Sequence, residues 1–342
     1  MNVKTKFSMG FLIAGMLTAS SVASAETTLR VNMWPSPKHN VIASMVVPWT
    51  KQVEQATNGR VKFELSAAPL AGGSKIFDAV DGGIADVSFA TTGYLPARFT
   101  TSRIVELPLR GESAEALSIA YWRVHDKHFR VANEYKGVEL LGVFSHGPAG
   151  IHTRETVIGE WSTLKGMKMR VAGGYMRELA SIFGVAAVFV PAPDIYGVVS
   201  KGTVDGVFFP PETPLKFKVQ KFLSNYMQVP NGLYNSAFMF VMNDNAWDAL
   251  PDQDKAAILK VSGENIARTA GRNWDERDAA ALKKYPELGV KVYSPTPKMM
   301  EELRGFSDDL EQRWVEDVAK KGIDGKAALE MLAAEVKQVL SN

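Results

Sequence analysis

The apolar positions of this chain come in short runs of alternating or β-branched character, separated by stretches with helical spacing. Thr28–Met33 (TLRVNM) predicts a strand, residues from about Asn40 to Thr57 predict a helix stopped at Asn58-Gly59, and Val61–Ser66 (VKFELS) predicts a second strand. A Gly-rich turn (Ala71-Gly72-Gly73-Ser74), a helix to about Val80 and a strand at Asp86–Ala90 follow. Pro48 interrupts the first helical pattern and predicts a kink or a later start. The same alternation returns after residue 135. Val138–Phe144, Met167–Val171, Val185–Val190 and Val204–Phe209 read as strands, with Gly174–Phe183 as a helix. Strands alternating with helices at this spacing predict βαβ units and a largely parallel sheet.

The two halves share a weak echo. Val80-x-x-Gly83-x-x-Asp86-x-x-Phe89 is repeated as Val199-x-x-Gly202-x-x-Asp205-x-x-Phe208, each a helix end, a Gly stop and a strand that begins at Asp. Duplication and simple reuse of turn chemistry explain it equally well. Further along, Asp252–Tyr285 holds no proline, and Ile266, Ala270 and Trp274 recur every four residues. One unbroken helix there would be roughly 50 Å long at 1.5 Å per residue, with a bend at Gly263 or Gly271 as the alternative. Pro297–Leu340 predicts two more helices divided near Gly322–Gly325.

The N-terminus has a different pattern. Lys4 and Lys6 precede the apolar stretch Gly10–Leu17, and a small-residue run ends in Ala23-Ser24-Ala25 before Glu26. This predicts a secretory signal peptide cleaved after Ala25 and an exported, periplasmic mature protein. Cleavage takes away two lysines and no acid, so the formal charge falls from +2 to 0. With no clustered basic face, nucleic acid is not an expected partner. No later run is long and apolar enough to predict membrane embedding.

The 342 residues contain no Cys, which excludes disulfides, thiol nucleophiles and thiolate metal sites. G-x-S-x-G, G-x-G-x-x-G, P-loop and H-E-x-x-H motifs are absent, which weakens an enzyme reading. His125 and His128 flank Asp126 and read as a solvated helix face rather than a metal site, and no metal or cofactor is expected. Gly72-Gly73-Ser74-Lys75 reads either as an anion cradle or as a turn capped by Ser74. Arg170 lies near the carboxyl end of a predicted strand, where α/β sheets place ligands. A guanidinium there is a planar, bidentate receptor for a carboxylate.

Four stretches carry a resemblance: Ala56–Leu95 (ATNGRVKFEL to GYL), Ser162–Val171 (STLKGMKMRV), Ile195–Gly206 (IYGVVSKGTVDG) and Ala246–Ile258 (AWDALPDQDKAAI). In these the chain resembles the periplasmic solute-binding proteins of tripartite ATP-independent (TRAP) transporters. The resemblance implies an α/β, two-lobed periplasmic-binding-protein fold. Hinge strands would join the lobes, a long helix would brace them, and a small organic acid would sit in the cleft for delivery to the membrane permease subunits. It further implies a division into 26–147 with about 237–270, and 148–236 with about 271–342.

By the same resemblance the Arg of LKGxKxR, here Arg170, receives the carboxylate, and Trp34, Thr91, His146, Phe209, Tyr234 and Asn235 fall along the cleft. Two departures bear on the ligand. An N-G-x-R-like segment that often brings a second Arg reads SHGPAG (Ser145–Gly150), and Phe209 replaces the Asn of D-G-Q-E-N-P. Arg154, nearby, aligns with a structural position. These favour a monocarboxylate with an apolar or aromatic body. The alternatives are a C4-dicarboxylate, or a secreted enzyme on the same fold using His146 with an acid. N-terminal sequencing of protein recovered from the periplasm should begin at Glu26, and a start at Met1 would remove the cleavage reading.

Overall fold

The computed structural model describes residues 26–35 and 39–341, so the predicted signal peptide lies outside the described residues. The first half of the chain forms β1 (Thr27–Val31), α1 (Val47–Ala56), β2 (Val61–Leu65), α2 (Ile76–Asp81), β3 (Val87–Thr91), α3 (Ala114–Val124) and β4 (Val138–Ser145). There follow β5 (Gly150–Thr153), β6 (Lys168–Val171), α4 (Tyr175–Ile182), β7 (Ala186–Phe189), α5 (Ile195–Ser200), β8 (Gly206–Phe209), α6 (Glu212–Lys216) and β9 (Asn225–Met227). The chain closes with β10 (Ala237–Asn243), α7 (Asp244–Asp248), α8 (Asp252–Lys260), α9 (Glu264–Lys284), β11 (Lys291–Tyr293), α10 (Pro297–Ala319) and α11 (Gly325–Leu340).

The strands assemble into two sheets, ordered β2-β1-β3-β10-β4 and β11-β9-β5-β8-β6-β7. Each is parallel apart from one reversed strand, so the βαβ expectation holds with one exception in each sheet. β10 runs antiparallel to both β3 and β4, and β5 runs antiparallel to both β8 and β9. The reason is connectivity. β4 leaves the first sheet and β5 enters the second after only four residues, while β10 returns from the second, so the two entering strands, β5 and β10, run against the βαβ direction. An isolated backbone bridge between Ala149 and Tyr234 ties the two crossings together. Two lobes joined at crossing strands are the result.

The repeated Val-x-x-Gly-x-x-Asp-x-x-Phe motif has a common structural job. Gly83 and Gly202 both adopt φ +70°, a left-handed conformation open to Gly without steric cost. The carboxylate that follows then accepts a backbone N–H from the neighbouring parallel strand: Asp86 from Arg30 at 2.7 Å, and Asp205 from Lys168 at 2.8 Å. Each Asp returns its own N–H to the same residue's carbonyl, at 2.9 and 2.7 Å. The motif therefore locks the register of the two strands that carry β1 and β6.

Pro48 is absorbed by a π-helical turn, Ile42–Val46, which runs directly into α1 so that the proline falls in the first turn. Ser74 does not cap α2; a short 3₁₀ turn over Gly73–Lys75 leads into it with no side-chain cap. The 34-residue helix is also not continuous. Gly263, at φ +62°, separates α8 from α9 and donates its N–H to the carbonyl of Leu141.

What remains is still a brace. Down one face of α9, Ile266 packs beside Gly142 of the first sheet, Trp274 lies 5.1 Å from the Phe238 ring, and Ala281 clusters with Tyr226 of the second sheet. The final helix corrects the expected division. α11 lies along α3, with Glu335 paired to Arg123 at 2.7 Å, so residues 325–340 belong with the first lobe. The reading of His125 and His128 as a solvated face also fails for His125, which is buried against Tyr135 at 5.3 Å between ring centres.

Helices α3 and α9 approach closely at Gly271, where an added Cβ would stand 2.4 Å from Cα of Glu115 and 2.5 Å from the carbonyl of Ala114. Both are backbone atoms that no rotamer change can move. Gly271→Ala should therefore lower unfolding stability by about 1–3 kcal/mol, the usual cost of overpacking. A urea titration with an unchanged midpoint would contradict this packing.

Candidate functional site

A cavity with about 590 Å³ of empty space, part of it open to solvent, lies between the sheets at the strand ends. Thr91 ends β3, His146 follows β4, Phe209 ends β8, and Arg170 is the penultimate residue of β6. Trp34 and Tyr234 complete the walls, so six of the seven sequence-predicted residues line it. Ligands of open α/β sheets gather outside the carboxyl ends of strands, and here two sheets aim those ends at one space.

Arg170 is 1% exposed. Its Nε donates to the carbonyl of Val190 at 2.9 Å, and a terminal nitrogen reaches the carbonyl of Phe208 at 3.5 Å. The Phe209 ring lies under the guanidinium, 4.1 Å from Cζ to the ring centre. The Tyr234 hydroxyl donates to the same Phe208 carbonyl at 2.8 Å. Burial pulls the guanidinium below its ordinary pKa, while the neighbouring Tyr94 and Tyr234 hydroxyls oppose that shift. Among the described residues no carboxylate stands within ion-pair distance of Arg170. Taking such an ion out of water costs several kcal/mol. A neutral arginine is not available to relieve that cost, since guanidinium stays protonated in proteins.

The other predicted residues divide by role. Trp34 donates its indole N–H to the carbonyl of Phe89 at 2.7 Å, which fixes the ring plane against the cavity. Thr91 donates to the carbonyl of Ala237 at 3.0 Å. His146 meets the carbonyl of Gly147 through Nδ1 at 2.6 Å. A carbonyl only accepts, so in the neutral ring Nδ1 carries the proton and Nε2 is left as an acceptor. Burial pushes the His146 pKa down to about 4, so the ring is neutral at pH 7.

Asn235 is the correction: it does not line the cavity. Its amide donates to the carbonyl of His146 at 2.8 Å from behind, so it positions the histidine. Arg154 is structural, as aligned, with its guanidinium on the carbonyls of Val204 and Val199. Phe208 is fully buried and outside the lining, whereas Trp34 forms part of the wall.

Sequence reasoning missed Tyr94, Phe238, Trp274, His39, Glu212 and Thr213. Tyr94 and Glu212 each lie three residues beyond a residue that was found, Thr91 and Phe209. A turn of helix follows both strand ends, and that geometry was the available signal. Trp274 belonged to a visible helical stripe, but nothing in the stripe says that its last member faces a cavity.

The lobes also touch beside the cavity. The carbonyl of Gly93 approaches Gly173 so closely that a Cβ there would be 2.3 Å away, and Gly173 sits at φ +137°. Glu106 accepts the backbone N–H of Tyr175 at the start of α4, at 3.2 Å, and burial raises its pKa to about 7. Tyr94 accepts the N–H of Ala192 at 3.1 Å across the same junction. Among the described residues no group of acidic and His side chains is arranged to hold a metal ion.

Two lobes closing on a buried, unpaired arginine define a solute-binding protein. Residues 31–317 match the bacterial extracellular solute-binding protein family 7 (DctP), and the chain belongs to that family. A TRAP periplasmic solute-binding protein from Bordetella bronchiseptica, solved with bound (R)- and (S)-mandelate, is 35% identical. Its match covers 92% of this chain and 99% of that one, with a TM-score of 0.89. A TRAP solute-binding protein from Rhodoferax ferrireducens T118, in complex with copurified benzoate, is 28% identical over 91% of this chain and 98% of its own, at TM-score 0.82. The protein TsaT of Comamonas testosteroni, described as an outer membrane transporter protein, is 27% identical over 98% of both chains.

The four strongly buried histidines give the fold a pH signature. His39, His125, His146 and His152 have pKa values pushed down by burial to about 3, 4, 4 and 3. Each is neutral when folded and gains a proton near pH 6.5 when unfolded. Their stabilisation is thus present above pH 6.5 and is lost as pH falls towards the folded values, by about 1.4 kcal/mol per pH unit per histidine. Glu106 works the other way between about 4.5 and 7, because its folded pKa is raised. His146→Gln should therefore lose less stability than the wild type between pH 6.5 and 4.5 in parallel urea titrations. Equal losses would mean that His146 is not buried as a neutral ring.

Proposed function

We propose that this protein is the periplasmic solute-binding component of a TRAP transporter, exported by a signal peptide cleaved after Ala25. In this reading it captures an aromatic monocarboxylate between its lobes and delivers it to the membrane permease, with no chemistry performed on the ligand. The observation that carries the proposal is Arg170: a buried cation with no protein carboxylate beside it, set in a cavity walled by Trp34, Phe89, Phe209, Phe238 and Trp274.

The ligand's carboxylate would supply the missing anion, in bidentate register with the guanidinium, and water exclusion would strengthen the pair. Aromatic walls favour a flat apolar body. Mandelate and benzoate in the structural relatives support the same ligand class. Arg170 is the one Lys or Arg among the described residues lining the cavity, which disfavours a C4-dicarboxylate. His146, held by the Gly147 carbonyl and depressed in pKa, suits a hydrogen-bond acceptor better than a general acid, which disfavours an enzyme. Opening and closing would pivot at the crossings near Ser145–Gly150 and Tyr234–Ala237, with residues 26–147 and 148–236 moving apart.

A thermal-shift screen of residues 26–342 should show stabilisation by aromatic monoacids, by about 2.7 kcal/mol at a hundredfold excess over Kd. Arg170→Lys should weaken binding at least tenfold, because a point charge cannot replace the planar fork. Hits confined to succinate or malate, or an unchanged Kd in the Lys variant, would remove this assignment.

A further inference from the structure

We propose that Glu212, with Thr213 and His39, forms a second polar pole of the cavity, which binds a ring hydroxyl of an aromatic monocarboxylate and turns away a second carboxylate. The inference rests on the aromatic-acid reading above and names the ligand class within it.

Among the described residues lining the cavity, Glu212 is the one carboxylate, as Arg170 is the one guanidinium. They do not neutralise each other. The groups acting on Arg170 are Tyr94 and Tyr234, whereas those acting on Glu212 are Thr213, Trp274, Lys216 and Arg277. His39 lies in the field of the same Lys216 and Arg277, and its ring is 6.1 Å from that of Phe217, the residue after Lys216. His146, by contrast, feels Arg170. The polar lining thus includes one group around Arg170 and another in which Glu212, bonded to the Thr213 hydroxyl, and His39 share the field of Lys216 and Arg277.

The second group is built rather than incidental. Glu212 is 6% exposed, follows the rigid Pro210-Pro211 pair, and donates its backbone N–H to Asp278 of α9 at 2.9 Å. One carboxylate oxygen accepts the Thr213 hydroxyl at 2.8 Å. A carboxylate has acceptor capacity beyond that single bond. His39 accepts the Val41 N–H through Nδ1 at 3.3 Å, so the neutral ring keeps its proton on Nε2 as a donor. A phenolic hydroxyl is both donor and acceptor and matches this pair of complementary groups. A second carboxylate offers only acceptors and would bring like charge against Glu212. A ring carrying no polar group would leave the remaining acceptor capacity of Glu212 unused, so benzoate itself should bind more weakly than its hydroxylated forms.

The test is isothermal titration of the full mature chain with benzoate, 3- and 4-hydroxybenzoate, and terephthalate, on the wild type, Glu212→Gln and Glu212→Met. In the wild type at least one hydroxybenzoate should bind tenfold or more tighter than benzoate, and terephthalate a hundredfold more weakly. Glu212→Gln, nearly the same shape without the charge, should narrow the terephthalate gap by tenfold or more, and Glu212→Met should erase the hydroxyl preference. Should the Met variant not fold, the wild-type panel and the Gln variant decide alone. Benzoate binding with no hydroxyl advantage, or a terephthalate gap unchanged in Glu212→Gln, overturns the second pole and leaves the aromatic-acid reading standing. Binding of none of the four acids overturns both.

Discussion

A buried guanidinium without a counter-ion among the described residues is the constraint around which this molecule is arranged. Arg170 is held in place by two backbone carbonyls and a phenyl face, none of which carries a charge. Such a group is stable only while something outside the chain, or water let in by an open cleft, meets its charge. Separate lobes follow from this need. A rigid cavity of the same lining would hold an unsolvated cation permanently, whereas lobes able to part at crossing strands would let water reach the arginine.

β4 leaves the first sheet in the direction of β3 and β10 re-enters between them in the opposite direction, so the end of β3 at Thr91 and the exit of β4 at His146 lie on the same side of the sheet. α9 spans both lobes and contributes Trp274 to the wall between them. Where the lobes meet, the backbone of Gly93 leaves no room for a side chain on Gly173. Glu106, receiving the first N–H of α4 from across the junction, adds a polar contact at the same place.

Much of this was legible beforehand. Periodicity found all the strands of the first sheet up to β4, and the repeated Gly-x-x-Asp motif marked the two places where a carboxylate fixes the register of a parallel pair. The break at Gly263 was one of two alternatives, and φ +62° decided it, since an L side chain rarely adopts that conformation. Asn235 was expected along the cleft by resemblance, beside Tyr234. Adjacent residues in extended chain point opposite ways, and the amide turned back to the His146 carbonyl instead.

The sequence by itself carried the residue types of the candidate site: one arginine near a strand's end and an aromatic in place of an amide at Phe209. These are properties of residue type and local spacing, which a linear chain carries in full. The tertiary structure alone decided which residues complete the cavity. His39, Tyr94, Glu212 and Trp274 come from four separate segments, and their meeting depends on how two sheets and a bracing helix pack. That packing also set the burial that keeps the histidines neutral and leaves Arg170 unpaired, and burial is a property of the whole fold, which no local pattern encodes.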